Sequence, residues 1–343
     1  MTLCIDRRDA LGIAAALAVA AGLAAPPAFA ADKIAVGALR FASHAPTFIA
    51  IERGYFADEG LDVEPTFFQA AQPMAVAIAS GDLDYAMTAI SGGLINLAEK
   101  GAIKVIAGAL EEQPGIDGQV ILVSNAAYAE GVTDPSKLAG RSFGITQSGS
   151  SFHYMAAKIA EKEGFAPGAI ELRPLQKVPA IIGALKTGQI DAWTIVPNIA
   201  KGLTEAGAAR EIGKVADYIP GYQVTTVFTS TATAEGKRDQ TEAFLRALAK
   251  GAADYNAALV DKTEGEDGAA AMVALLQPYV YPDQTVEEVG PALRDGAMRI
   301  AEGLALDMAS IEDQLKWFQT EGLVSGDITL ETLVDASYRT TTN

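Results

Sequence analysis

The stretch QSGSSFHYM, from Gln147 to Met155, places hydroxyls, a turn-forming glycine and an imidazole side by side. It also holds one of only two histidines in a chain of 343 residues. Three chemistries suit such a stretch: an activated nucleophile, a phosphate cradle, or hydrogen bonding to a small molecule. A serine hydrolase wants G-x-S-x-G, and SGSSF lacks the second glycine. A phosphate loop wants G-x-x-x-x-G-K-[ST], which is absent. The glycines of a dinucleotide fingerprint are missing from VGALRFAS, where the first strand should end. A non-catalytic small-molecule cleft is the chemistry left standing.

In that reading Gly149 turns the backbone, and Ser148, Ser150 and Ser151 stand where they can cap a following helix. The free amides of a helix start attract an anion. His153 falls on the first helical turn, able to donate to a ligand; simple capping with a surface His153 is the plain alternative. Five further loops are expected at strand ends: RFASHAP, FQAAQ, TAISG, QKVP and WTIVPN. They add Arg40 and Lys177 as charges to balance an acid, and Gln69, Gln72, Gln147 and Gln176 as two-way hydrogen-bonding groups. Thr88 adds a hydroxyl. Phe41, Phe68 and Trp193 are the aromatic candidates for the cleft, with Phe152 and Tyr154 undecided between cleft and core.

An internal repeat positions these loops. AIASGDLDYAMT (Ala77–Thr88) overlays ALKTGQIDAWTI (Ala184–Ile195), setting Gly81 on Gly188 and Asp84 on Asp191. The same spacing sets Gln69 on Gln176. A nearby spacing sets Gly54 on Gly164 and brings His153 over Ser43, next to His44, so the two histidines hold nearly equivalent places. Such matches arise by chance in α/β chains, but Gly, Asp and Gln coincide at one spacing. Each copy reads strand–helix–strand–helix–strand, which implies right-handed crossovers and parallel sheets covered on both faces. GQVILVSN (Gly118–Asn125) and GYQVTTVFTST (Gly221–Thr231) stand outside the repeat as strands linking two lobes. Beyond Ala234 the chain is helical, with Phe244, Leu245, Leu248, Ala252, Tyr255 and Leu259 on one face. Pro278, Pro282 and Pro291 should break it into short helices, packed on the first lobe.

The ends and the charge narrow the setting. Arg7 and Arg8, an apolar run from Leu11 to Ala25 and the triplet Ala28-Phe29-Ala30 read as an export signal cleaved near Ala30. Arg7-Arg8 hints at the twin-arginine route, whereas Asp9 and Ala10 fit a plain Sec signal at least as well. The run is shorter than the about 20 apolar residues a membrane span needs. Cys4 is the single cysteine and precedes the run, so the mature chain is expected to hold no disulfide or thiol nucleophile. With two histidines and no cysteine, no metal site and no cofactor are expected. A net charge of −17 argues against nucleic acid or anionic lipid as partner.

HAPTFIAIERGYFADEGLDVE (His44–Glu64), AIASGDLDYAMTA, LAGRSFGITQSGSSFHYM (Leu138–Met155) and IIGALKTGQIDAWTI (Ile181–Ile195) together resemble the periplasmic solute-binding proteins for nitrate, sulfonate and taurine. That family also includes proteins similar to thiamine-pyrimidine-precursor synthases. The resemblance implies a type II periplasmic-binding-protein fold: two βαβαβ lobes joined by two crossing strands, with a helical C-terminal tail. Lobe 1 would comprise residues 31–121 plus 226–343, lobe 2 residues 122–225, and residues 1–30 the signal peptide. It implies a monomeric periplasmic receptor that closes on a small-molecule ligand and delivers it to an inner-membrane ABC permease. By position, ligand contacts carry over to Ser43, His44, Gln69, Thr88, Ser148 to Ser151, and Trp193. The synthase branch depends on a cysteine-rich motif and a self-sacrificing histidine, and the mature chain lacks cysteine. A non-enzymatic receptor for an organic anion, a sulfonate or carboxylate, is therefore expected. A pyrimidine-precursor enzyme and a nitrate or bicarbonate receptor are the alternatives.

Overall fold

The computed structural model describes residues 32–342; the export signal, its cleavage site and Cys4 lie outside the described residues. The first repeat copy folds as β1 (Asp32–Leu39), α1 (Ala45–Glu52), α2 (Tyr55–Asp58), β2 (Leu61–Phe68), α3 (Ala71–Ser80) and β3 (Tyr85–Thr88). Next come α4 (Gly92–Glu99), β4 (Ile103–Gly108), β5 (Val120–Ser124) and α5 (Asn125–Ala129). The second copy is β6 (Ser142–Ile145), α6 (Ser151–Lys162), β7 (Glu171–Pro174), α7 (Val178–Thr187) and β8 (Ala192–Ile195). Then follow α8 (Pro197–Glu205), β9 (Ala209–Lys214) and β10 (Thr226–Ser230). The tail carries α9 (Thr231–Gly236), α10 (Arg238–Tyr255), α11 (Gly265–Val280), α12 (Val286–Asp295) and α13 (Met308–Thr320).

Two five-stranded sheets result, ordered β2-β1-β3-β10-β4 and β7-β6-β8-β5-β9. Within each copy the strands are parallel, as the repeat implies. The sheets are nevertheless mixed. β10 runs antiparallel between β3 and β4, and β5 antiparallel between β8 and β9. The two strands expected to link the lobes are thus absorbed into the sheets, and shorter segments make the crossing. There Ala109 N–H donates to Thr225 O at 3.0 Å, and Val224 N–H to Leu110 O at 2.8 Å. Pro65 and Pro174 sit in β2 and β7, both edge strands, where a missing N–H leaves no ladder bond unmade.

The repeat has a physical basis in two aspartates. Asp84 accepts the Ala35 N–H at 2.9 Å, tying β1 to the start of β3. Asp191 accepts the Ser142 N–H at 2.8 Å and does the same for β6 and β8. Gly81 and Gly188 end the preceding helices in the left-handed conformation, at φ 83° and 72°. The histidines are matched too: Nδ1 of His44 accepts the Leu39 N–H at 3.4 Å, and Nδ1 of His153 the Gly149 N–H at 3.1 Å. Each fixes the turn that leaves the first strand of its copy.

The tail departs from expectation. α10 packs on α1 in the first lobe, but α12 packs on α8 and α13 meets α6, both in the second. A Cβ on Gly296 would lie 2.5 Å from the Asn198 nitrogen, so the backbone after α12 approaches α8 closely. Tyr154 and Lys158 of α6 reach Asp313 at 2.6 and 3.1 Å. Proline also breaks less than expected. Pro278 and Pro291 lie inside α11 and α12, and only Pro282 falls between helices. Burial of Val289, Ala292 and Leu293 holds α12 together across the hydrogen bond that Pro291 cannot make.

One hinge residue is titratable and enclosed. Glu112 is 3% exposed; one carboxyl oxygen accepts the Gln119 N–H at 2.9 Å and the other has no partner. Burial pushes this carboxyl up to about 7. From the ordinary value of 4.5 up to about 7, the folded protein keeps a proton that the unfolded chain releases, so stability falls as pH rises through that window. Glu112→Gln should remove a loss on the order of 3 kcal/mol across it. Denaturant titrations of both proteins at pH 5 and pH 8 check this, and an identical pH slope in the two would refute it.

Candidate functional site

The C-terminal ends of the parallel strands face each other across the joint between the sheets. A cavity of about 60 Å3 lies there. Ser43, His44 and Thr88 come from the first lobe, Thr146, Ser150 and Ser151 from the second, and Leu110, Gln119, Val224 and Thr225 from the crossing segments. Phe41 and Phe152 complete its apolar walls. Two backbone hydrogen bonds close the lobes around it. Gly92 N–H donates to Gly149 O at 2.9 Å, and Val178 N–H to Gln69 O at 3.3 Å.

The chamber is uncharged, a largely apolar space set with hydroxyls, one amide and one imidazole. Among the described residues no Lys, Arg, Asp or Glu lines it. Burial pulls His44 down to about 3, so its imidazole is neutral. With Nδ1 accepting from Leu39, the ring proton sits on Nε2, which is then a donor. Positive potential comes instead from helix starts. α3 and α6 both begin at the chamber, with Ala70 and Ser150 at their N-cap positions, and neither carries a side-chain cap. The first amides of a helix lack intrahelical partners and carry a partial positive charge. α7 also starts at the wall, at Val178, but that N–H is already given to Gln69 O. Two side-chain groups are poised in the same way: Ser150 Oγ and Gln119 Nε2 are buried without partners. Such groups cost free energy unless a ligand or water satisfies them.

The expected residues separate into three sets. Phe41, Ser43, His44, Thr88, Ser150 and Ser151 line the chamber. Arg40, Phe68 and Gln69, again with Phe41, line a larger cavity of about 630 Å3 beside it. Gln147, Ser148, Gly149, His153, Gln176 and Trp193 line neither. Arg40 balances no charge in the chamber: its guanidinium lies 3.9 Å over the Phe67 ring and donates to Tyr279 O at 2.8 Å. Trp193 is fully buried, behind Phe152 at 5.5 Å between rings. His153 turns away to pack edge-on against Trp317 at 5.1 Å. Burial lowers its pKa, with Glu321 opposing. Gly149 and Gln176 act through backbone, at φ 75° and 66°. The undecided pair resolves as Phe152 on the wall and Tyr154 in the core.

Thr146, Gln119 and Thr225 also line the chamber and were not among the expected residues. Thr146 stood in a loop already singled out, so its place at a strand end was a usable signal. Gln119 and Thr225 fall inside the two stretches expected to link the lobes, each one residue before the strand that forms there, and those stretches were read for their strands and not for their side chains.

Two βαβαβ halves, each with one inserted antiparallel strand and a small chamber at their joint, define the periplasmic-binding-protein fold. The NMT1/THI5-like family model matches residues 42–258, and the chain belongs to that family. Its structure is similar to the alkanesulfonate-binding protein SsuA of Xanthomonas axonopodis pv. citri bound to MOPS, with TM-score 0.70 and 17% identity, over 92% of this chain and 100% of that one. The aliphatic sulphonate-binding SsuA of Escherichia coli aligns with TM-score 0.67 and 17% identity, over 88% and 97% of the two chains. The nitrate-binding NrtA of Synechocystis PCC 6803 aligns with TM-score 0.68 and 13% identity, over 88% and 83%. No curated protein sequence matches the chain.

Ser150 offers a direct check of the chamber. A serine that caps its helix costs about 1 kcal/mol when changed to alanine. Ser150 makes no such bond, so Ser150→Ala should leave the melting temperature of the ligand-free protein unchanged or raised. A drop of several degrees would mean that the hydroxyl caps α6 after all.

Proposed function

We propose that this chain is the periplasmic substrate-binding component of an ABC importer, capturing a small organic anion between its lobes by hinge closure. The observation that carries the reading is the pair of uncapped helix starts, α3 and α6, meeting in a closed chamber lined by hydroxyls and a neutral imidazole. An oxyanion head accepts hydrogen bonds from amides, from Ser43, Thr88, Ser150 and Ser151 hydroxyls, and from Nε2 of His44. The helix dipoles offset its charge. Gln119 and Thr225 would read the same head from the hinge, which links ligand contact to closure.

The binding of MOPS, itself a sulfonate, by the Xanthomonas relative supports a sulfonate or related organic acid here. Phe41 and Phe152 on the wall favour a ligand with apolar surface over bare nitrate or bicarbonate. The reading places lobe 1 at residues 31–121 plus 226–343 and lobe 2 at 122–225, the tail strapping both. It makes the first 30 residues a cleaved export signal and the mature chain a monomer that docks on an inner-membrane permease. A receptor rather than an enzyme fits a chamber whose single imidazole is neutral and already engaged by the Leu39 amide.

Thermal melting of the mature protein against short sulfonates, carboxylates, nitrate, bicarbonate and a pyrimidine precursor tests this. An organic monoanion at 100 times its Kd should stabilise by about 2.7 kcal/mol. A shift with the pyrimidine alone would favour the enzyme, and one with nitrate or bicarbonate alone an inorganic-anion receptor.

A further inference from the structure

The chamber is too small for most organic anions. About 60 Å3 of such space holds roughly four or five water-sized groups, an oxyanion head and little more. Anything attached to that head must leave the chamber. Leu39, Phe41 and Val178 wall both the chamber and the larger cavity beside it, so the two spaces are neighbours across the same side chains.

That lateral cavity, of about 630 Å3, lies within the usual range for small-molecule sites. Phe41, Phe67 and Phe68 form its first-lobe wall, α7 and α8 contribute Ile182 and Ile199, and Tyr281 stands on the tail side. α12 roofs it through Val289 and Ala292. One group there is left wanting a partner. Asn198 is 1% exposed and gives its amide N–H to the Tyr281 hydroxyl at 2.8 Å, while its Oδ1 is buried with no donor. The charges at the rim are unequal: Glu205 and Glu288 against Arg40, whose guanidinium is already held over Phe67 by the Tyr279 carbonyl.

We propose that the lateral cavity is a specificity subsite for the aromatic body of the ligand whose oxyanion head occupies the chamber between the helix starts. The inference rests on the anion-receptor reading and names its substrate class: aryl sulfonates or aryl carboxylates with a single acidic group. Aromatic walls match a planar body in area and in stacking geometry. A second acidic group on that body would face Glu205 and Glu288 and be rejected. The roof explains a use for the C-terminal tail, since α12 completes the subsite from outside both sheets. The buried Asn198 oxygen favours a body with a hydrogen-bond donor along its edge.

Calorimetric titration of the mature protein with methanesulfonate, 2-naphthalenesulfonate, 2-naphthoate and 2,6-naphthalenedisulfonate tests it. The naphthyl monoanion that shares the preferred head should bind at least about 30-fold tighter than the head alone, from burial of its rings. The disulfonate should lose that advantage. Ile182→Trp and Ile199→Trp, on separate helices and each only partly buried, fill the cavity from two sides. Each should erase the naphthyl advantage while leaving methanesulfonate within about threefold, because overpacking acts only on the body. Retained methanesulfonate affinity and an unchanged melting temperature show that the variants fold. Head-only binding that equals or exceeds naphthyl binding in the wild type would overturn the subsite and spare the receptor. Both tryptophan variants keeping the advantage would do the same. No binding by any of the four would overturn the oxyanion chamber along with it.

Discussion

Backbone amides at the start of a helix have no partners within it, and this constraint organises the whole molecule. α3 and α6 both begin where no side chain caps them. Two such ends brought together in a dry space would be costly without an acceptor between them. The sheets exist to aim them: parallel strands deliver every following helix start to the same edge, and a repeat of the unit delivers a second set to face the first. Asp84 and Asp191 hold those strands in register, and the crossing segments hold the two edges opposite one another. On the proposed reading such a fold attracts an anion through helix starts, with no basic side chain at the chamber and in a chain of net charge −17.

Closure is secured at the rim rather than in the chamber. The Gly92–Gly149 and Gln69–Val178 backbone bonds join loops of opposite lobes and use no side chain of the chamber. Gly149 earns its place here: at φ 75° it turns its carbonyl onto the α4 start, a backbone conformation that side-chain-bearing residues rarely adopt. The tail adds a second fastening, with α12 on α8 and Asp313 on α6. Opening the cleft must therefore break or slide contacts made by a segment well removed in sequence from either lobe's sheet.

Much of this was legible in the sequence, and for identifiable reasons. The repeat showed because Gly81 and Gly188 must end helices and the two aspartates must bridge strands, so residue type was constrained at each position. Most of the strands and the long tail helix followed from apolar spacing. Trp193 lies away from the chamber because β8 is buried on both faces, and a strand without alternation gives no sign of which side points to a cavity. His153 misled because sharing a position with a chamber residue does not mean sharing its direction: both histidines accept a turn amide, yet only His44 faces the chamber. Gln119, Thr225 and the α12 roof depend on contacts between distant segments, and local patterns do not carry that information.

On the proposed reading, helix starts and hydroxyls recognise negative charge itself, not merely the shape of a small polar group. Titrating the mature protein with methanesulfonate and with dimethyl sulfone, nearly the same shape without the charge, tests it most directly. The sulfonate should bind at least about 100-fold tighter, the scale of charge-assisted hydrogen bonds added to helix-dipole attraction. Equal affinity for the two would contradict it, because the chamber would then be reading shape alone.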